Sequence, residues 1–100
     1  MYKINSTLSK TKRILIITAE NLYSVNLNLT LARRIPLGLI AKMTIIRNSS
    51  AILVIHPVGG KDFLLESMKR TELIMFLVNQ CDNLKIARPQ ITQSQGLRLM

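Results

Sequence analysis

The sequence predicts a mainly β domain: seven antiparallel strands in a barrel or sandwich, capped by one C-terminal helix. Three observations predict it. Short runs rich in Ile, Leu and Val recur at near-regular spacing up to residue 66, with Asn, Ser, Pro and Gly clusters between them. From Ser67 onward the apolar period lengthens to that of a helix. One hundred residues, 48% hydrophobic with four Gly and three Pro, fit one modest core and no more.

The elements follow in order. Tyr2–Ser6 is a short first strand. Arg13-Ile-Leu-Ile-Ile-Thr18 is a β-branched run expected to be a buried second strand. Asn21 marks a turn, and Leu22–Asn26 returns as a hairpin partner with Leu22 and Ser24 on one face and Tyr23 and Val25 on the other. Leu31–Leu37 is a fourth strand, kept near an edge or cut short by Pro36. Ala41–Arg47 and Ala51–His56 flank the Asn48-Ser49-Ser50 turn as the fifth and sixth. Pro57-Val58-Gly59-Gly60 breaks the chain again, and Lys61–Glu66 is the seventh. Ser67 is a candidate helix cap. Leu73, Leu77, Cys81 and Leu84 then repeat at helical spacing, joined by Ile74, Phe76 and Val78, so the helix is apolar around much of its circumference and needs a surface to pack on. Pro89 closes this region. The domain is expected over residues 1–88, with 89–100 a polar tail of unfixed order.

Charge narrows the function. Fourteen Lys and Arg face five Asp and Glu, for a net +9. Residues 1–61 hold nine bases and one acid, Glu20, hence +8; residues 62–100 hold five bases and four acids, hence +1. Such a field attracts anionic partners, nucleic acid or a cytoplasmic leaflet. Four aromatic residues and no Trp argue against a stacking platform for single strands. Cys81 is the single cysteine, so neither an internal disulfide nor a cysteine-spaced zinc site can form, and a reducing compartment fits. No apolar run follows Met1-Tyr2-Lys3 as in a signal peptide, and Ile14–Ile17 and Ile74–Val78 are too short to span a bilayer. The expected location is therefore cytoplasmic, with peripheral membrane contact. Without a secretory signal, the glycosylation triplets at Asn5, Asn28 and Asn48 read as chance.

Seven strands and a final helix is the layout of a pleckstrin-homology-like barrel. Several stretches together resemble the tail homology domain of class I myosins: Lys12-Arg13-Ile14-Leu15-Ile16-Ile17-Thr18 with Asn21-Leu22-Tyr23; Arg33-Arg34-Ile35-Pro36-Leu37 with Ile40; Ile52-Leu53-Val54-Ile55-His56; Gly60-Lys61-Asp62-Phe63-Leu64-Leu65-Glu66-Ser67; and Glu72-Leu73-Ile74. The chain departs from that pattern at Lys42-Met43-Thr44 and at Met68-Lys69-Arg70. The resemblance spans roughly residues 2–85 and implies a phosphoinositide-binding barrel in the tail of an actin-based motor. It also implies that Lys3 and Arg13 bracket the lipid phosphates, with Lys10 and Lys12 in the loop between them.

The residues support that chemistry on their own terms. Lys10-Thr11-Lys12-Arg13 concentrates cations where a loop between paired strands aims them at one point, as a multiply phosphorylated headgroup requires. The hydroxyls of Ser6, Thr7, Ser9 and Thr11 offer further hydrogen bonds. A solvated basic loop is the plainer reading of the same residues. Arg33 and Arg34 alternate faces, so one, taken as Arg33, is expected with Lys3, Lys10, Lys12 and Arg13 at the lipid-phosphate site and the other in solvent. Lys42 and Arg47 read as surface charges. Lys69 and Arg70 lie where a helix dipole disfavours cations, which points either to a partner or to chance. His56 is expected to be a structural, hydrogen-bonded residue and Cys81 a core residue. Asp62 and Glu66 read as solvated. No nucleophile, base and acid come together, so the module is expected to be non-catalytic, with no cofactor or metal. A protein-interaction barrel, docking peptides along a strand edge or beside the helix, is the alternative function.

Overall fold

The computed structural model describes residues 1–5 and 7–95. Ser6 and residues 96–100, part of the expected tail, lie outside the described residues. Among those described are nine strands: β1 (Tyr2–Ile4), β2 (Lys10–Lys12), β3 (Ile14–Ile17), β4 (Asn21–Val25), β5 (Leu31–Pro36), β6 (Ile40–Ile46), β7 (Ile52–Pro57), β8 (Phe63–Glu66) and β9 (Gln90–Ser94), with one helix, α1 (Arg70–Asn83). The domain is mainly β, but it has nine strands rather than seven, and the barrel does not close.

The strands form two sheets. One has the order β2-β1-β8-β7-β6-β9 and the other β3-β4-β5. Two chain features keep them apart. At Arg13 the chain leaves β2 and enters β3, held at the corner by Arg13 N–H donating to Met1 O at 2.9 Å. At the other corner Pro36 has no N–H for a ladder, and Leu37–Leu39 turns through a 3-10 helix before β6 begins. β5, expected as the fourth strand, thus lies at an edge and stops at Pro36, as its proline requires.

The two inner faces share one core. Leu22 and Ile35 from the small sheet meet Met43, Leu53, Ile55, Phe63 and Leu65 from the large one, and Leu73 and Leu77 of α1 complete the cluster. Burying each such side chain stabilises the fold by about 1.5–3 kcal/mol. Between the sheets the Arg33 guanidinium sits 5.8 Å from the Phe63 ring centroid and donates to Lys61 O. Gly60 permits this approach, because a Cβ there would lie 3.3 Å from Arg33 Nη2.

Several local expectations are corrected. The Ile14–Ile17 strand is not buried: Ile14 and Ile16 are exposed on the outer face of the small sheet, while Leu15 and Ile17 turn inward. Ser67 does not cap the helix; it lies two residues before the cap position, where its Oγ accepts the Lys69 N–H at 3.1 Å, and Lys69 occupies the cap position without a side-chain bond. The helix ends well before Pro89, where Lys85 adopts φ 58° and Ile86 N–H donates back to Cys81 O at 3.1 Å. Finally, Gln90–Ser94 within the expected tail is a strand, paired parallel to β6 from Lys42↔Gln90 to Ile46↔Ser94.

Candidate functional site

The five cations named from the sequence do not converge on one point. Residues 10–12 form strand β2 rather than a loop, and register then fixes their faces. Lys3 lies opposite Thr11 on one side and Leu65 on the other, whereas Tyr2 lies opposite Lys12 and Ile4 opposite Lys10. Cross-strand partners share a face and neighbours alternate. Lys3 therefore shares the face of Leu65, and Lys10 and Lys12 lie on the other.

Each cation also has its own surroundings. Lys3 Nζ donates to Asn5 Oδ1 at 3.3 Å. That carboxamide donates in turn to Ser9 Oγ (2.9 Å) and Thr11 Oγ1 (3.3 Å), and Thr7 and Ser9 share a hydrogen bond of 3.2 Å. Thr7, Ser9 and Thr11 are thus bound within this segment, to Asn5 or to one another. Lys10 pairs with Glu66 at 2.8 Å, so Glu66 is not merely solvated. Arg33 is spent on the seam between the sheets, and Arg34 is the exposed one of that pair.

Lys12 and Arg13 do share a site. They line a groove of about 630 Å³ with Lys69, Ser67 and Glu72 from the start of the helical region. Its walls are apolar: Met1, Ile14, Leu15, Ile17, Leu27, Leu73 and Phe76. Three cations face one carboxylate there. Lys12 and Lys69 form no ion pair among the described residues. Arg13 is half-buried; its Nη1 donates to the Ser24 hydroxyl at 3.4 Å, and its buried Nε has no hydrogen-bond partner. Ser24 is the buried polar side chain of the small sheet, fully shielded from water. Arg13 therefore has one half in the fold and one wall of the groove. The poor place of Lys69 in the helix dipole is visible in the sequence; its membership of the groove comes from the tertiary fold.

Arg70, equally misplaced in the dipole, has a different role. Its Nη1 donates to Ser49 O (2.6 Å), Ile52 O (3.0 Å) and Ile46 O (3.3 Å), stapling the β6–β7 turn to the helix. Three carbonyl acceptors outweigh a dipole penalty of about 0.3–1 kcal/mol.

Away from the groove, a hydroxyl, an imidazole and a carboxylate form a string. Thr44 Oγ1 and His56 Nε2 lie 2.8 Å apart, and His56 Nδ1 and Asp62 Oδ1 lie 2.9 Å apart. Thr44 also shares a 2.8 Å bond with Thr92. The string ties β6, β7, β9 and the β7–β8 turn together across an open sheet face, so His56 is hydrogen-bonded and structural. Cys81 is fully buried, and burial, with the Asp82 carboxylate second, pushes its thiol above its usual range. Hydrogen bonding from Arg88 holds Asp82 below the usual carboxylate range. Among the described residues no three His, Cys, Asp or Glu side chains are grouped to hold a metal, and no helix is long and apolar enough to cross a membrane.

No curated protein matches the chain. A family model does, over residues 1–97, and its description is an unconventional myosin tail that binds actin and lipid. The match takes in both sheets, the helix, β9 and every residue of the groove, and it agrees with the resemblance carried by the Lys12–Tyr23 and Arg33–Leu37 stretches. The chain belongs to the family of unconventional myosin tails, actin- and lipid-binding.

Proposed function

We propose that this chain is a peripheral membrane-binding module whose groove at Lys12, Arg13 and Lys69 receives the phosphates of a phosphoinositide, anchoring an actin-based motor to anionic lipid. The observation that carries the reading is this groove: two segments distant in sequence bring three cations to one apolar-walled cleft, on a chain of net charge +9. Each cation near an anionic leaflet contributes roughly 1 kcal/mol, so the three together supply about 3 kcal/mol, a factor of about 100 in partitioning. Glu72 opposes this and sets a preference for headgroups that reach past it to the cations. Lys3, Lys10 and Arg33 act at most through the long-range field, because their side chains are engaged elsewhere. The module works by reversible binding in the cytoplasm and performs no reaction of its own.

Sedimentation with vesicles tests this. Phosphatidylcholine alone should leave the protein in solution. Added phosphatidylserine should bring part of it down, and a phosphatidylinositol bisphosphate at matched charge should bring down more. Equal binding to neutral and anionic vesicles would overturn the proposal, and equal binding to both anionic lipids would reduce it to general electrostatics.

A protein-binding role is the second reading, favoured by the exposed Met75 on α1, which does not line the groove. Co-sedimentation with actin filaments separates the two, since Lys12→Glu should weaken vesicle binding and leave a site on the far face of the helix intact.

A further inference from the structure

The turn between β4 and β5 is built in an unusual way. Its polar side chains bind one another: Asn26 Nδ2 donates to Thr30 Oγ1 at 2.9 Å, while Thr30 N–H and Thr30 Oγ1 donate to Asn28 Oδ1 at 3.1 and 2.6 Å. The backbone closes the same turn, with Asn26 N–H donating to Thr30 O at 2.9 Å and Leu29 N–H to Asn26 O at 2.8 Å. The leucines alternating with these residues are left outside. Leu27, Leu29 and Leu31 are 58%, 75% and 58% exposed. Leu29 holds φ 68°, a left-handed conformation that glycine or asparagine adopts with far less strain. A large apolar residue thus stands at a strained, solvent-facing tip.

We propose that this turn is a wedge: Leu27, Leu29 and Leu31 enter the acyl boundary of an anionic bilayer while Lys12, Arg13 and Lys69 stand at headgroup level. The inference rests on the lipid-binding reading above and adds to it the depth and orientation of docking. Three observations favour lipid as the occupant. Leu27 lines the same groove as the three cations, so wedge and charge belong to one surface. The turn's polar side chains are already paired, and a hydrocarbon phase penalises polar groups left unpaired. From residue 21 to residue 61 the sequence has no Asp or Glu, so nothing on this stretch repels an anionic leaflet.

The chain has no Trp, which makes a single reporter possible. Leu29→Trp, mixed with phosphatidylcholine–phosphatidylserine vesicles, should show a blue-shifted emission that acyl-chain bromines quench. Gln90→Trp, on the strand at the opposite edge of the large sheet from Lys12, should show neither. Leu29→Gly removes the side chain and relieves the strained φ, so its thermal stability should hold or rise while vesicle partitioning drops about tenfold, the transfer of one leucine. If the Leu29→Trp variant bound vesicles with its emission unshifted and unquenched, the wedge would be overturned and the electrostatic reading left standing. Failure of the parent chain to bind anionic vesicles would overturn both. If Leu29→Gly weakened binding to actin filaments and not to vesicles, the turn would be a protein contact and the proposal wrong.

Discussion

Replacing Arg70 with methionine keeps most of the side chain's apolar bulk and removes its donors. One guanidinium nitrogen serves three carbonyls from residues 46, 49 and 52, two of them at 3.0 Å or less. A hydrogen bond to a charged group contributes about 1.5–3 kcal/mol when well shielded. Arg70 is half-buried and water can reach part of this site, so about 1 kcal/mol for each of the two shorter bonds is the appropriate scale. Against this, removing a cation from the helix start returns about 0.3–1 kcal/mol. The net loss is therefore about 1–2 kcal/mol, which in a domain of this size lowers Tm by about 4–16 °C. Thermal unfolding followed by circular dichroism measures it. Arg70→Lys, which keeps the charge but reaches fewer acceptors, should fall between the two. A methionine variant melting within a degree of the parent would refute the view that Arg70 holds the β6–β7 turn.

Arg13→Met leaves the buried Ser24 hydroxyl without its 3.4 Å partner but also removes the unpaired buried Nε, so its net cost should be about 1 kcal/mol or less, and adding Ser24→Ala should recover part of that in a double-mutant cycle by urea unfolding. Cys81 should resist thiol reagents until the chain unfolds. Because burial raises its folded pKa above the unfolded value, its contribution to stability is complete below the unfolded pKa and is lost as pH rises through the folded one; Cys81→Ala should flatten this alkaline slope in unfolding measured across pH. Lys10→Gln should change stability by less than about 1 kcal/mol in the same urea assay, since its bridge to Glu66 is half exposed.

The strand content was legible where local chemistry matched tertiary use. The Thr18–Asn21 turn and the Leu22/Ser24 face follow from residue type and alternation, and the β4–β3 register keeps them. The open form of the fold was not legible. It depends on two corners, Arg13 and Pro36–Leu39, and only the proline announces itself in a sequence. β9 was hidden because Gln90-Ile91-Thr92-Gln93-Ser94 is a polar strand with one large apolar side chain; its place comes from parallel backbone pairing with β6 and the Thr44–Thr92 bond. The site was half legible. Lys12 and Arg13 stand out as a cluster, but the parity that turns Lys3 away, the pairing that occupies Lys10 and the seam that absorbs Arg33 are all register effects. Lys69 joins Lys12 only through the packing of chain segments more than fifty residues apart.

The groove's charge is tested most directly by reversing it where the fold does not use it. Lys12→Glu with Lys69→Glu leaves Arg13 on Ser24 and should melt as the parent does. If the groove receives anionic lipid, this variant loses partitioning onto phosphoinositide vesicles by at least about 100-fold. Lys42→Glu with Lys85→Glu, an equal change in net charge placed elsewhere, should lose much less. Equal losses from the two pairs would mean that net charge alone drives binding and that the groove is not the site.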